Sequence, residues 1–249
     1  VATSGSASDL GEGTIPFARI PVGSTSATVT VGNDSRLSNS RTPTTHASTH
    51  FAGGSDVITP ANIGAVVQAD LLNLFGMQAT AIDTLPRLFA FSQPALTSGS
   101  MAMCFFTPLV TRTISQITMH AGGTTAASGL TLARMGLYTY DDAVTTGTLV
   151  AAIANDTTLF TATNTAYTRS LSTGGGLPST YTLTAGLRYA FGVLCVGTTM
   201  PQIVGQANSS GFAMVLLPRG SGQRTSQSDL PTSFTSVSAA GIIPFARLS

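Results

Sequence analysis

The chain contains no tryptophan, no lysine and a single glutamate, Glu12. Only 8% of its residues are charged, where an average soluble domain carries roughly a quarter. All eleven basic residues are arginine, so the long lysine and glutamate side chains that usually solvate an exposed helix face are missing. The formal net charge is +1, with no basic run and no basic stripe interleaved with aromatics, which excludes a nucleic-acid interface. No apolar run reaches the ~18 residues of a membrane-spanning helix. The opening "VATSGSASDL" lacks the basic start and apolar core of a signal peptide. It also lacks an initiator methionine, as expected of a processed end or of one segment of a longer chain. Only two cysteines are present. Cys104 and Cys195 sit in the apolar runs "MAMCFF" and "YAFGVLCVG", where buried free thiols behaving as small hydrophobes are expected, a single disulfide being the alternative.

What is present is a 43% hydrophobic fraction in 249 residues. That excludes a disordered chain, which would combine low hydrophobicity with high charge, and it suffices for one large all-β domain or two smaller units. The surface must be covered by Thr, Ser, Asn and Gly, or hidden against further copies of the chain.

One short pattern occurs twice. "IPFAR" at Ile15 to Arg19 returns at Ile243 to Arg247, each followed by an aliphatic residue. Two distant copies do not make a solenoid; they read as one kind of connector used before and after a globular module. Pro16 and Pro244 bias the preceding isoleucine to extended geometry. An exposed extended segment carrying Ile and Phe is expected to pack against neighbouring chains.

From Gly32 to Ala65 the sequence has neither helical nor strand periodicity. Thr59 and Pro60 then supply an N-cap and a first helical residue. Beyond them Val67, Leu71, Leu74, Gln78, Ala81 and Leu85 alternate spacings of four and three, which predicts a short helix with a coiled-coil seam or one packed on a neighbouring domain. From Phe89 onward the period switches to two. "MAMCFFTP", "RTISQITMH", "TLARMGLYTY", "TLVAAIA", "AYTRSLS", "LRYAFGVLCVG", "QIVGQ" and "FAMVLLP" read as short strands separated by Gly, Asn, Asp, Ser and Pro clusters. Such a succession predicts antiparallel sheets arranged as a β-sandwich of jelly-roll type. In "LRYAFGVLCVG" both alternating faces are apolar, so that strand is expected at the centre of its sheet, or packed on another copy. The expected division is an extended shaft region at 1–58, a helical neck at 59–88, a β-sandwich at 89–217 and an extended connector at 218–249.

The stretch "GNDSRLSNSRTPTTHASTHFAGGSDVITPANIGA" resembles the shaft segment of tail fibres and minor tail proteins of tailed bacteriophages. The matching positions are Asp34, Arg36, Leu37, Ser38, Arg41, Thr42, Pro43, His46, His50, Gly53, Gly54, Asp56, Ile58, Thr59, Pro60, Ile63, Gly64 and Ala65. Asn39 departs from the pattern, where an acidic residue is usual. "GTIPFARIPVG" resembles connectors of such fibres, so the resemblance covers about the first quarter of the chain.

It implies a homotrimer wrapped around a threefold axis, within a virion tail and beside other tail proteins. The segments expected to meet in the trimer carry Ile15, Phe17, Leu37, Ile58, Ile63, Val67, Leu71, Leu74, Ile243 and Phe245. Three copies around one axis bury backbone that a single copy leaves bare. In an extended segment His46 and His50 share a face but lie about 13 Å apart at ~3.3 Å per residue, so each forms its own ring of three imidazoles. In a helical turn they converge, and six imidazoles can surround one metal ion. The alternative is hydrogen bonding to backbone or Asp56 with no metal. His120 reads as an ordinary surface or core histidine.

Three function classes follow from the resemblance: a host-attachment protein, a head-fibre or decoration protein without a receptor, and a polysaccharide-degrading tailspike. Glycoside cleavage needs two facing carboxylates, and the β-rich region offers only Asp141, Asp142, Asp156 and Asp229. Asp141 and Asp142 are adjacent in a turn-forming "YTYDDAVTTG", and no GxSxG context appears, so no enzymatic activity is expected. Tyr138, Tyr140, Asp141 and Asp142 are the candidates for a surface loop that holds a host glycan. An ordinary hairpin with two exposed tyrosines is the other reading.

Overall fold

A computed structural model of the chain describes residues 20–23, 53–54, 57–59, 63–65, 80–207 and 217–249. The chain divides into two compact units, Val1–Ala65 and Val66–Ser249. In the first, the described residues include exposed Val22, Val57, Ile58 and Ile63. His46, His50, Ile15, Phe17 and Leu37 lie outside the described residues, as do Val67, Leu71 and Leu74 of the second unit.

The second unit is mainly β and its strand pairs are antiparallel. A six-stranded sheet is built from β2 (Met101–Phe106), β5 (Ser128–Asp141), β6 (Thr146–Ala152), β9 (Tyr189–Thr199), β11 (Ser221–Arg224) and β12 (Ser233–Phe234), in the order β11-β2-β9-β5-β6-β12. A four-stranded sheet contains β1 (Ile82–Asp83), β4 (Gln116–His120), β7 (Ala166–Ser170) and β14 (Arg247–Leu248), in the order β1-β14-β4-β7. Two ribbons complete it: β3 (Arg112–Ile114) with β8 (Tyr181–Leu183), and β10 (Gly205–Ala207) with β13 (Ile242–Pro244).

The strand expected at the centre is central. β9 lies between β2 and β5, and its residues Tyr189 to Cys195 are all buried. The physical reason is visible in the two apolar clusters it joins. Tyr189, Phe191, Val193 and Cys195 belong to one, together with Ile82, Ile117, Met119, Tyr167 and Leu248 of the four-stranded sheet. Ala190 and Leu194 belong to the other, with Met101, Met103, Tyr138, Tyr140, Leu230 and Phe234. Both faces of β9 are therefore covered within a single chain. Cys104 and Cys195 are free and buried, with the Cys104 thiol donating to the carbonyl of Thr84 at 3.2 Å.

Two expected boundaries need correction. Residues 218–249 are not an extended connector: β11, β12, β13 and β14 fall there and pair with strands of the same unit. Between β11 at one edge of the large sheet and β12 at the other, Leu230 joins the second apolar cluster. Asp229 is held there by Arg134 through Nη1 at 2.9 and 3.0 Å. Phe245, expected at a trimer contact, is buried within its own chain, and Ile243 pairs with Gln206.

Nor does the expected helical neck run through residues 80–88. Ile82 and Asp83 form a strand paired with Leu248 and Arg247, and Arg87–Phe89 is a 3-10 turn. Long-range pairing overrides the four-three spacing here, and Pro86 disfavours helical geometry at Leu85. Among the described residues there is no α-helix, and no helix long and apolar enough to cross a membrane.

Candidate functional site

β5 and β6 form a hairpin whose tip is the turn expected to hold a ligand. The alternation of β5 decides which of its side chains are available. Ala133, Met135 and Leu137 point into the cluster shared with the small sheet, and Thr139 and Asp141 continue that face beyond it. Tyr138 and Tyr140 point the other way. Tyr138 is fully buried and Tyr140 is 6% exposed. Tyr140 stacks on Phe105 with ring centroids 4.2 Å apart, and Tyr138 tilts against Phe234 at 5.2 Å. The two tyrosines are therefore core residues, which corrects both the ligand platform and the exposed-hairpin alternative. Burial raises the hydroxyl pKa of each above the ordinary tyrosine value.

The two aspartates also separate. Asp142 is tied into the fold: its carboxylate accepts from Arg188 Nε at 3.0 Å and from the Arg219 backbone N–H at 3.4 Å. Arg188 in turn donates through Nη2 to the carbonyl of Arg219. Asp141 is exposed, and its Oδ1 accepts from the Ala143 N–H at 2.8 Å, closing the turn.

On the Thr139 and Asp141 side lies an open groove of about 350 Å³, bounded by the hairpin on one side and by β8 and the start of β9 on the other. The hairpin contributes Thr139, Asp141, Thr146 and Thr148, and the facing wall contributes Tyr181, Thr182, Thr184 and Tyr189. Tyr140 reaches the rim although its ring packs elsewhere.

The walls are fixed by their own hydrogen bonds. Thr113 and Thr182 hydroxyls meet across the β3–β8 ribbon at 2.8 Å, the Tyr189 hydroxyl accepts from the Thr184 N–H at 3.1 Å, and Thr139 donates to the Thr148 carbonyl at 3.4 Å. Tyr181 stands edge-on to Tyr189 at 6.3 Å. Burial, and then the neighbouring Tyr189, push the Tyr181 hydroxyl above its ordinary pKa, so it is a neutral donor and acceptor at physiological pH.

The chemistry available is that of recognition. One exposed carboxylate, the Arg188 guanidinium, several neutral hydroxyls, the exposed Leu187 and a part-buried aromatic ring line the groove, a set that suits a polyhydroxylated ligand, whose hydroxyls need both donors and acceptors. Of the residues expected from sequence, the groove keeps Asp141 and the rim position of Tyr140. Sequence reasoning missed Tyr181, Thr182, Thr184 and Tyr189. The signal that points to the first three is the alternating "YTLT" at Tyr181 to Thr184, which follows a glycine-rich turn. His120 is exposed at the end of β4. Among the described residues no group of three or more His, Cys, Asp or Glu side chains is placed to hold a metal ion.

Comparison with protein-family models and with curated proteins finds no match to this chain.

Proposed function

We propose that the protein is a structural component of a bacteriophage tail, a homotrimer with an extended shaft and a β-sandwich head that takes part in host-surface attachment. The observation that carries this reading is the dense agreement of Asp34 to Ala65 with the tail-fibre shaft pattern. Exposed Ile58 and Ile63 support it, because apolar side chains left bare on one chain are covered when three copies meet. In this reading the head engages a host glycan at the Thr139, Asp141, Tyr181 and Thr182 groove, without cleaving it, and any metal is held on the trimer axis by His46 and His50.

The test has two arms. Light scattering after size exclusion is expected to give the mass of three chains, and a monomer would sink the fibre reading. If His46 and His50 hold a structural metal, chelator lowers that mass; an unchanged mass removes the metal. Binding to a panel of bacterial surface polysaccharides is expected to weaken about tenfold in Tyr181→Ala, the equivalent of ~1.4 kcal/mol. Equal binding by the variant, with its fold intact by circular dichroism, moves recognition elsewhere.

A further inference from the structure

The duplicated pattern is longer than its five-residue core. Gly13 to Ile20 and Gly241 to Leu248 are identical at the glycine, isoleucine, proline, phenylalanine, alanine and arginine positions, and differ only by Thr14 for Ile242 and Ile20 for Leu248. The structure shows what the second copy does. Ile243 and Pro244 pair with Gln206 and Gly205. The approach is so close that a Cβ on Gly205 would fall 2.3 Å from the Ile243 carbonyl oxygen.

Phe245 then donates its N–H to the Val204 carbonyl at 3.2 Å. Ala246 donates its N–H to the Thr84 hydroxyl and accepts from the Thr84 N–H, both at 2.9 Å. Arg247 and Leu248 fill the slot between β1 and β4. Phe245, Ala246 and Leu248 are buried. The slot therefore reads a proline, a large aromatic, a residue no bigger than alanine and an aliphatic residue, in that order.

Pro16, Phe17, Ala18 and Ile20 present the same four side-chain classes at the same spacing. We propose that residues 13–20 of one chain occupy, by strand exchange, the slot that residues 241–248 fill in another copy, joining chains head to tail. The recognition is strand addition with side-chain pockets for specificity. From the proline to the aliphatic position exchange is close to balanced, since Ile for Leu conserves volume; Thr14 does not replace the packing of Ile242 against the first apolar cluster, which favours the chain's own strand.

Two features keep the slot with its own strand until copies are concentrated. That strand is tethered to the slot, which raises its effective concentration. It also continues into Ser249, whose N–H donates to the Gln116 carbonyl at 3.1 Å. The corresponding residue after the first copy is Pro21, which has no N–H to give. A head-to-tail junction of this kind is heterologous: it closes into a ring where its rotation allows and otherwise runs on as a linear array. Strand exchange needs only the fold and the repeat, and is independent of host attachment.

The register supplies the experiment. Arg247 lies opposite Thr118, so Arg19 of an exchanged segment lies there too. Full-length Arg19→Cys chains are mixed with full-length Thr118→Cys chains, held just below the denaturation midpoint so that the strand opens, returned to buffer and oxidised. A 19–118 disulfide between chains is expected by peptide mass spectrometry, reduced at least fivefold by adding Phe17→Ala and increased by adding Pro21→Ser. The double variant Thr118→Cys, Arg247→Cys must close internally under the same conditions, which establishes that the geometry allows the bond. If that internal bond forms and the 19–118 bond does not, or if Phe17→Ala leaves its yield unchanged, the proposal is overturned.

Discussion

Arg188 and Asp142, 46 residues apart, meet at 3.0 Å where the β5–β6 turn lies against the start of β9. About four-fifths of each side chain is shielded from solvent, so this pair belongs to the fold more than to the surface. Removing the carboxylate leaves Arg188 Nε and the Arg219 N–H without their acceptor and the part-buried guanidinium without its counter-charge. Asp142→Ala is expected to cost about 1–3 kcal/mol of unfolding free energy. Asp141→Ala loses only a turn hydrogen bond and should cost under about 1 kcal/mol. Denaturant unfolding of the two neighbours distinguishes them, and equal losses would show that the pair contributes no more than the turn.

Gly147 is a site of close approach. A Cβ built there would stand 2.3 Å from Cζ of Phe234, the ring that closes the second apolar cluster from β12. Gly147→Ala is expected to destabilise by about 1–3 kcal/mol through overpacking. In combination with Phe234→Leu the extra cost should shrink, since the smaller side chain leaves room for the methyl. A double-mutant cycle showing strict additivity would contradict the contact.

The thiols predict an alkaline limb. Burial pushes both Cys104 and Cys195 up to about 12 from an ordinary value of 9.0, with the Thr84 hydrogen bond and then Arg188 partly opposing the rise at Cys104. Because the folded pKa is raised, the stability associated with each neutral thiol is fully present below pH 9 and is lost as pH climbs from about 9 towards 12. Unfolding free energy should be level through pH 8 as far as the thiols are concerned. Its decline above 9 should be shallower in Cys104→Ala, Cys195→Ala. A thiol reagent at pH 8 should leave the native chain unlabelled and modify both cysteines after denaturation; rapid native labelling would place them at the surface.

The period-two runs make much of the second unit legible in the sequence. β2, β5 and β9 are long, β-rich and apolar on both faces, so their strand character and the central place of β9 follow from residues close in sequence. The segment from Pro218 onward is not legible, because its strands are only two to four residues long and their apolar residues are buried by partners brought from far away: Phe234 by Tyr138, Phe245 near Val204, Leu248 between Ile82 and Ile117. Tyr138 and Tyr140 escape the sequence for a related reason. Both faces of β5 carry apolar side chains, and sequence does not reveal that the even-numbered face is covered. The groove is half visible: Asp141 lies in a recognisable turn, while Tyr181 and Thr182 reach it only through the β3–β8 ribbon.

The pairing of Ile82 with Leu248 has a mechanical consequence. β1 and β14 are the first and last strands among the described residues of this unit, so tension applied across it loads that strand pair first. Because the strands are antiparallel and loaded at the same end, their hydrogen bonds break in succession instead of sharing the load. Under pull the edge strand β1 is expected to part from β14 first, because β14 is still held on its other side by β4.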